Sequence, residues 1–299
     1  MDIRQLEYFV AVAEEGNFTR AAQRVHISQS GVSAQIKQLE LDLGAPLIDR
    51  SGRIATLTEA GAAALEHARA ALSAAGAVRQ AVDEVNGLIR GRLVVGMVAG
   101  CTVTALFDAL AALHRAHPGI DITLIEDNSD RLVERVRTGS ADLALIGAAG
   151  AAPTGLDSLS IVSEPLVAAV PPGHCLAARH RASLAEIGAF PIVTMPEGTG
   201  VRAVFDLACA RLGVQPAIAL QASSPGAVAD LAARGLGVAI LSQSMAEHHL
   251  DRLTVVAIDD VDIPAVLAVV WATTMSPALR ALVGHVARAF AVGPAAARQ

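Results

Sequence analysis

Cysteine, aromatic residues and lysine are all scarce in this sequence. Its 299 residues include three cysteines, one tryptophan, one tyrosine and six phenylalanines, and Lys37 is the single lysine among 23 basic residues. An odd number of cysteines without a C-x-x-C pair disfavours a disulfide framework and a zinc site, and it is typical of a reducing compartment. Few aromatic residues also disfavour stacking as a way of holding a ligand.

Long apolar runs and a secretory signal are lacking as well. The composition is 53% hydrophobic, but polar residues and prolines interrupt every long stretch, so no membrane span is predicted. The N-terminus is acidic where a signal peptide would be basic. We therefore expect a cytoplasmic protein with no membrane partner.

The sequence lacks a basic surplus and any assembled catalytic or cofactor motif. The net charge is −6, and residues 1–58 carry six basic and seven acidic side chains. This balance disfavours indiscriminate nucleic-acid binding but leaves room for site-specific binding by a local cluster. The histidines are scattered, and there is no G-x-S-x-G, H-E-x-x-H or phosphate loop. We expect that the protein is not an enzyme and that it binds neither a metal nor a cofactor.

The N-terminal residues predict three short helices. Apolar side chains at helical spacing over residues 3–16 predict a first helix that Gly16 ends. Thr19 is the expected N-cap of a second helix, residues 20–25, and Ser28 that of a third, residues 29–43. In the third helix the expected buried stripe is Val32, Ile36, Leu39 and Leu43. The solvated face then holds Gln29, Ser30, Ser33 and Lys37.

Two further elements follow this helical region. The segment "PLIDRSGRIATLT" predicts two short strands around a Ser51-Gly52 turn, with Arg50 and Arg53 beside the tip. From Thr58 an alanine-rich segment predicts a helix of about thirty residues with an apolar stripe. Such a helix pairs with a second copy or packs on its own chain, and we favour pairing.

Beyond Gly91, strand and helix patterns alternate, which predicts βαβ units with parallel sheets in two similar lobes joined near Ser163 and Pro264. Loops at the carboxyl ends of the strands precede helices, and helix N-termini favour anions. We therefore expect a small organic anion in the cleft; the alternative is that the loop hydroxyls only cap helices. The candidate effector residues are Gly100, Cys101, Thr102, Thr199, Gly200, Arg202, Ser223 and Ser224.

These segments resemble LysR-type transcriptional regulators. "FTRAAQRVHISQSGVSAQIKQLELDLGAPLIDR" followed by "LTEAG" is similar to the family's winged helix-turn-helix, and "LVERVRTGSADLALIG" and "AVADLAARGLGVAILS" are similar to its effector region. The implied fold is α/β: an all-α winged helix-turn-helix, a long linker helix and a two-lobed region like periplasmic binding proteins. The implied domains are 1–58 (DNA-binding), 59–90 (linker and dimerisation), 91–162 with 265–299 (lobe I) and 163–264 (lobe II).

The resemblance also implies partners and contacts. Expected partners are double-stranded promoter DNA, a small-molecule effector, RNA polymerase and further copies of the chain, as a dimer through the linker helix and a tetramer. Effector binding would change promoter binding and bending allosterically. Ala34 stands where the family often has Arg, which puts one DNA contact in doubt. The expected DNA-binding residues are Thr19, Arg20, Gln29, Ser30, Ser33, Lys37, Arg50 and Arg53.

Two other functions remain open from the sequence. A regulator of the same fold could sense oxidants through Cys101, which lies at a predicted helix start, although no second loop cysteine accompanies it. A cytoplasmic solute-binding protein would explain the two lobes but would leave residues 1–90 without a purpose.

Overall fold

A computed structural model describes residues 1–52, 54–85, 90–99 and 103–292. Internal contacts divide the chain into an N-terminal unit, residues 1–89 with Thr138–Ser140, and a C-terminal unit, residues 90–137 with 141–299. None of the described helices is long and apolar enough to cross a membrane.

The N-terminal unit begins with helices α1 (Ile3–Glu15), α2 (Phe18–Arg24) and α3 (Gln29–Leu43). The prediction for α1 is confirmed: Gly16 ends it in the left-handed conformation, with φ of 58°. The prediction for the start of α2 is wrong. Asn17 caps it instead of Thr19, because its side-chain oxygen accepts from the backbone N–H groups of Thr19 and Arg20.

The bounds of α3 are confirmed at both ends. Ser28 is the N-cap, accepting from the N–H of Gly31, and Gly44 closes the helix with φ of 72°. Three of the four residues predicted to be buried are fully buried: Val32, Ile36 and Leu39. The fourth prediction is wrong, since Leu43 is 46% exposed in the last turn, beyond the reach of the core.

Strands β1 (Ile48–Asp49) and β2 (Thr56–Leu57) pair antiparallel as the predicted wing, and α4 (Glu59–Val85) follows. Thr58 caps α4 by accepting from the N–H of Gly61. The first half of α4 packs on α1. There Ala68 is buried and Leu65 and Leu72 are partly buried against the same core as Phe9.

The C-terminal unit holds two mixed sheets. Its strands are β3 (Gly91–Val98), β4 (Ile120–Asp127), β5 (Leu143–Ala149), β6 (Asp157–Glu164), β7 (Leu166–Val170), β8 (Arg181–Ala182), β9 (Ile192–Thr194), β10 (Ile218–Gln221), β11 (Val238–Ser242), β12 (Thr254–Ile258) and β13 (Ala265–Trp271). Its helices are α5 (Thr104–Ala116), α6 (Ser129–Arg137), α7 (Leu184–Gly188), α8 (Gly200–Leu212), α9 (Pro225–Ala233), α10 (Gln243–Glu247) and α11 (Pro277–Val292), with a short 3₁₀ turn at Cys175–Ala178.

Among the described residues, the first sheet has the order β4-β3-β5-β13-β6 and the second the order β10-β9-β11-β7-β12-β8. The parallel pairs expected from βαβ units are present in both sheets, but each sheet also contains antiparallel strands. β3 runs parallel to β4 and β5, but β13 is antiparallel to β5 and β6, because the chain returns to the first sheet from the second. In the second sheet, β9 is parallel to β10 and β11, whereas β7 is antiparallel to β11 and β12.

The parallel strands of each sheet position the loops in which effector residues are predicted. The carboxyl ends of β3 and β4 lead into the segments before α5 and α6, and those of β9 and β10 lead into the segments before α8 and α9. Loops at the carboxyl ends of parallel strands are where open α/β sheets bind ligands. The fold therefore supplies a place for the predicted site in each sheet.

Candidate functional site

Helix α3 presents a polar face beside its buried stripe. Gln29, Ser30 and Lys37 are exposed and Ser33 is half-buried, while the apolar stripe is inside. A helix is about 10 to 12 Å across with its side chains and fits the major groove of DNA, where amide, hydroxyl and ammonium groups can reach base edges. The structure thus brings four of the predicted DNA-binding residues onto one surface.

The turn between α2 and α3 is held in a strained conformation at His26. Its φ is 56°, and it is the one non-glycine residue of the described ranges with positive φ. The turn sets the angle between the two helices, which in a helix-turn-helix places the first across the phosphates while the second enters the groove. Sequence analysis missed His26, since a histidine carries no turn signal comparable to that of glycine.

Thr19 and Arg20, the predicted phosphate contacts, are both exposed in the first turn of α2. The backbone N–H groups of both residues already bond Asn17, so they are less available to a phosphate than the sequence suggested. The guanidinium of Arg20 also lies 3.4 Å from the carboxylate of Glu15. At this end of α2, the side chains of Thr19 and Arg20 are therefore more available to a phosphate than their backbone N–H groups.

Arg50 is tied to three residues of the helical region. Its Nη1 donates to Ser33 Oγ at 3.0 Å, its Nη2 donates to Glu40 Oε2 at 3.0 Å, and its guanidinium lies 4.9 Å from the centre of the Phe18 ring. Arg53, the second predicted wing cation, lies outside the described residues.

Glu40 organises the wing and was missed in the sequence. Its Oε1 accepts from the backbone N–H groups of Leu47 and Ile48 at 2.9 and 3.1 Å, and its Oε2 holds Arg50. One carboxylate therefore joins α3 to the start of β1. Nothing in the spacing signals this role, because it depends on a tertiary approach of the wing to α3.

A carboxylate also connects the three helices α1, α2 and α4. Glu14 lies 2.9 Å from an Arg69 nitrogen and 2.7 Å from an Arg24 nitrogen. Partial burial raises the pKa of Glu14, but the hydrogen bonds and charges of the two arginines outweigh it and hold the pKa below its usual value. The long helix is thereby linked electrostatically to the helix-turn-helix.

The predicted effector loops are described only in part. Gly100, Cys101 and Thr102 lie outside the described residues. Thr199 and Gly200 are buried where α8 begins, and Thr199 Oγ1 donates to the carbonyl of Pro196 at 2.8 Å. Ser224 caps α9 by accepting from Ala227 N–H, as its alternative role predicted, and Ser223 is exposed.

Arg202 is buried, with its residue 8% exposed, and it is already paired. Its Nε lies 2.7 and 2.8 Å from the two carboxylate oxygens of Asp206, one turn along α8, and its Nη2 lies 3.7 Å from Glu197. Its Nη1 is buried with no hydrogen-bond partner among the described residues. The hydroxyl of Thr194, at the end of β9, is also buried and without such a partner.

The two sheets meet at a close backbone contact. A Cβ on Gly200 would lie 2.5 Å from the carbonyl carbon of Gly147 in β5, so only glycine fits there. The N–H of Ser129 donates to the Gly198 carbonyl at 2.9 Å, and the N–H of Gly147 donates to Ser129 Oγ at 3.0 Å. This junction joins the segment before α8 to the first sheet.

Of the described cysteines, Cys209 is buried and Cys175 is exposed, and both are free thiols. Burial, together with the Asp206 carboxylate, raises the pKa of the Cys209 thiol to about 11. A thiol is reactive as its thiolate, so Cys209 is chemically quiet at neutral pH.

Both parts of the chain match known protein families. Residues 3–62 match the bacterial regulatory helix-turn-helix protein, lysR family, and residues 86–291 match the LysR substrate binding domain. One relative is the RuBisCO operon transcriptional regulator of Allochromatium vinosum, 30% identical over 260 residues that cover 87% of this chain and 85% of the relative. Another is a probable hydrogen peroxide-inducible genes activator of Mycobacterium avium, 34% identical over 251 residues, 84% and 80% of the two chains.

Solved structures share the fold along the whole chain. Full-length CbnR in complex with its target DNA has a TM-score of 0.59 and 27% identity, and the match covers 97% of this chain and 100% of that one. A full-length OxyR variant from Pseudomonas aeruginosa has a TM-score of 0.72 at 24% identity, with coverage of 98% and 95%. This second likeness concerns the fold alone.

A winged helix-turn-helix followed by a long helix and a two-sheet α/β region defines the class: a DNA-binding transcription regulator with an effector-binding region. Within that class the chain belongs to the LysR family. The family prediction, the fold class and the main functional prediction are therefore confirmed. LysR regulators bind promoter DNA and small-molecule effectors and oligomerise.

Proposed function

We propose that the polar face of α3 reads the promoter sequence in the major groove. The proposal rests on one observation: Gln29, Ser30 and Lys37 are exposed on one face, with Ser33 at the edge of that face, beside a fully buried stripe. Glutamine pairs with adenine through two hydrogen bonds, and lysine reaches guanine or a phosphate. Thr19, Arg20 and the wing residues Arg50 and Arg53 contact the sugar-phosphate backbone beside it or hold this face in place.

Selection from a randomised duplex pool tests this function. The full-length protein should enrich one sequence containing two half-sites, and Gln29→Ala should weaken its binding to that sequence by about three- to tenfold, as expected for lost hydrogen bonds. Gln38→Ala is the matched control, since Gln38 is exposed on α3 but bonds Asp42 at 3.0 Å. Equal losses from both variants, or no enriched sequence, would contradict the proposal.

Affinity is supplied by self-association as well as by direct contacts. Because residues 1–58 carry a net charge of −1, bulk electrostatic attraction to DNA is weak. A dimer paired through α4, assembled further into a tetramer, presents several copies of α3 to one duplex and multiplies a modest affinity. Leu65 and Leu72 are partly buried on their own chain, whereas Val78, farther along α4, is 66% exposed, so the later part of α4 supplies the pairing surface.

The effector of this proposal is a small organic anion at the start of α8. Arg202 supplies the cation. Its Nε–H donates a hydrogen bond to Asp206, while its Nη1 is buried without a partner among the described residues. A buried N–H without a partner costs about 1 to 3 kcal/mol, which a carboxylate would relieve. Thr199, Gly200, Ser223 and Ser224 complete the proposed site, together with Gly100, Cys101 and Thr102.

Calorimetric titration of the full-length protein with a panel of mono- and dicarboxylates tests the effector class. Arg202→Met should lower the affinity for a bound carboxylate at least tenfold, as expected for a charge-assisted bond. Arg211→Met is the matched control, because Arg211 lies on the same helix with a 58% exposed side chain. Binding of neutral or cationic compounds alone would overturn the anion proposal.

Effector binding at this junction would alter the angle between the two sheets and hence promoter binding and bending. In this proposal the protein acts in the cytoplasm, is not an enzyme, and has RNA polymerase as a further partner. In the redox-sensing alternative Cys101 would be the reactive thiol, and one relative carries a peroxide-related name. Cys209 would not serve as its partner, because burial raises the pKa of the Cys209 thiol to about 11.

A further inference from the structure

The contact between Arg50 and Ser33 has a chemical consequence for base recognition. A guanidinium group donates hydrogen bonds and accepts none. Arg50 Nη1 therefore occupies a lone pair of Ser33 Oγ, at 3.0 Å, and the hydroxyl hydrogen must point away from Arg50. Among the described residues Ser33 Oγ has no other hydrogen-bond partner, so this hydrogen is available to a ligand.

The guanidinium itself is held on two further sides. Glu40 Oε2 accepts from Nη2 at 3.0 Å, and the ring of Phe18 lies 4.9 Å from the guanidinium carbon. Glu40 in turn is fixed by the backbone of Leu47 and Ile48. Arg50 is thus anchored by the fold, and its position does not depend on DNA.

An oxygen that accepts a hydrogen bond from a cation becomes a stronger donor and a weaker acceptor, because neighbouring hydrogen bonds polarise one another. Serine alone can pair with donors or with acceptors on base edges. Held by Arg50, Ser33 is biased toward acceptors: guanine N7 and O6, adenine N7 and thymine O4. Cytosine offers only its N4 amino donor in the major groove.

We propose that Arg50 is a positioning residue that makes Ser33 a one-way hydrogen-bond donor, so that the wing sets base preference through α3 rather than by touching a base. This inference rests on the proposed function, since it assumes that α3 faces the major groove. It assigns Arg50 a specificity role in place of a phosphate contact.

Binding of the full-length protein to single-base variants of a duplex enriched from a randomised pool tests the inference. The wild type should prefer an acceptor base over cytosine at one position of each half-site by about three- to tenfold, the range of one hydrogen bond. Ser33→Ala and Arg50→Met should each remove this preference at the same position, and the double variant should lose no more than Ser33→Ala. Arg20→Met is the control: it should weaken all variants equally and keep the preference.

A second variant, Glu40→Gln, tests the inference independently of whether Arg50→Met folds. In Glu40→Gln the amide oxygen can still accept from Leu47 and Ile48, but the amide nitrogen repels the guanidinium of Arg50. The preference at the Ser33 position should then shrink, although residue 40 contacts no base. Unchanged preference in a folded Glu40→Gln would overturn the inference.

Two other outcomes distinguish failure of this inference from failure of the proposed function. If Arg50→Met weakens every duplex equally and lowers the salt-dependence slope by about 0.9, Arg50 is a phosphate contact and the inference is wrong, while the proposed function stands. If the wild type enriches no sequence, the proposed function fails and the inference fails with it.

Discussion

Gly61 lies where the first turn of α4 approaches the residue before β1, and its replacement by alanine should open the N-terminal unit. A Cβ at this position would lie 2.0 Å from the carbonyl oxygen of Leu47 and 2.9 Å from its carbonyl carbon. Carbon–oxygen contacts are normally about 3.3 Å or longer, so α4 and β1 must separate by more than about 1 Å. Backbone atoms on both sides leave no flexible side chain to absorb the shift.

The expected destabilisation follows from the contacts that this separation breaks. Thr58 N–H donates to the Leu47 carbonyl at 3.0 Å and Thr58 Oγ1 donates to the Pro46 carbonyl at 2.6 Å, each worth about 1 kcal/mol. Overpacking adds about 1 to 3 kcal/mol, and the better helix propensity of alanine returns about 1 kcal/mol. The net loss is about 2 to 4 kcal/mol.

Hydrogen exchange of the full-length protein, followed by peptide, measures this loss locally. Exchange in peptides from α1 and from the start of α4 should accelerate about 30- to 700-fold in Gly61→Ala, since 1.4 kcal/mol is a factor of ten. Gly76→Ala is the control, because a Cβ at Gly76 meets nothing within 4 Å in its own chain, and exchange in the α1 peptides should be unchanged. Wild-type protection in Gly61→Ala would refute the reasoning.

Three further predictions concern charge, the sheet junction and thiol chemistry. Because the folded pKa of Glu14 is depressed, its ion pairs stabilise the N-terminal unit above the unfolded pKa near 4.5. This stabilisation is lost as the pH falls through the folded pKa. In thermal melts from pH 6 to pH 3, the melting temperature should therefore fall more steeply in the wild type than in Glu14→Gln. Gly200→Ala should loosen the junction of the two sheets and accelerate exchange in β5, whereas Gly226→Ala, with open space around its Cβ, should not; equal effects would contradict the close contact. Alkylation at pH 7.5, followed by mass spectrometry, should label exposed Cys175 and spare Cys209, and fast labelling of Cys209 would disprove its raised pKa.

Sequence signals were sufficient where structure is decided locally. The bounds of α3 were predicted at both ends, because a capping serine, helical periodicity and a left-handed glycine agree. At the start of α2, two residues that can cap a helix lie two positions apart, and Asn17 rather than Thr19 is the N-cap. Leu43 shows the limit of periodicity, since it continues the stripe but extends past the core that the stripe covers.

Long-range packing accounts for what the sequence did not predict. Strand β6 is followed directly by β7, and β12 directly by β13, with no helix between the two strands of either pair. Alternation therefore did not reveal β6, β7 and β12 or the antiparallel pairs that they form. In the site, the exposed face of α3 was predicted from its periodicity. The contacts from Arg50 to Ser33 and Glu40 were not, because they join residues 10 and 17 positions apart across two elements.

Sequence discrimination by the full-length protein tests the central claim most directly. Fluorescence anisotropy at about 0.15 M salt would compare a duplex enriched from the randomised pool with a base-shuffled duplex of the same composition. If α3 reads the major groove, the enriched duplex should bind at least about 10³-fold more tightly, as specific protein–DNA complexes do. Equal affinities for the two duplexes would contradict it.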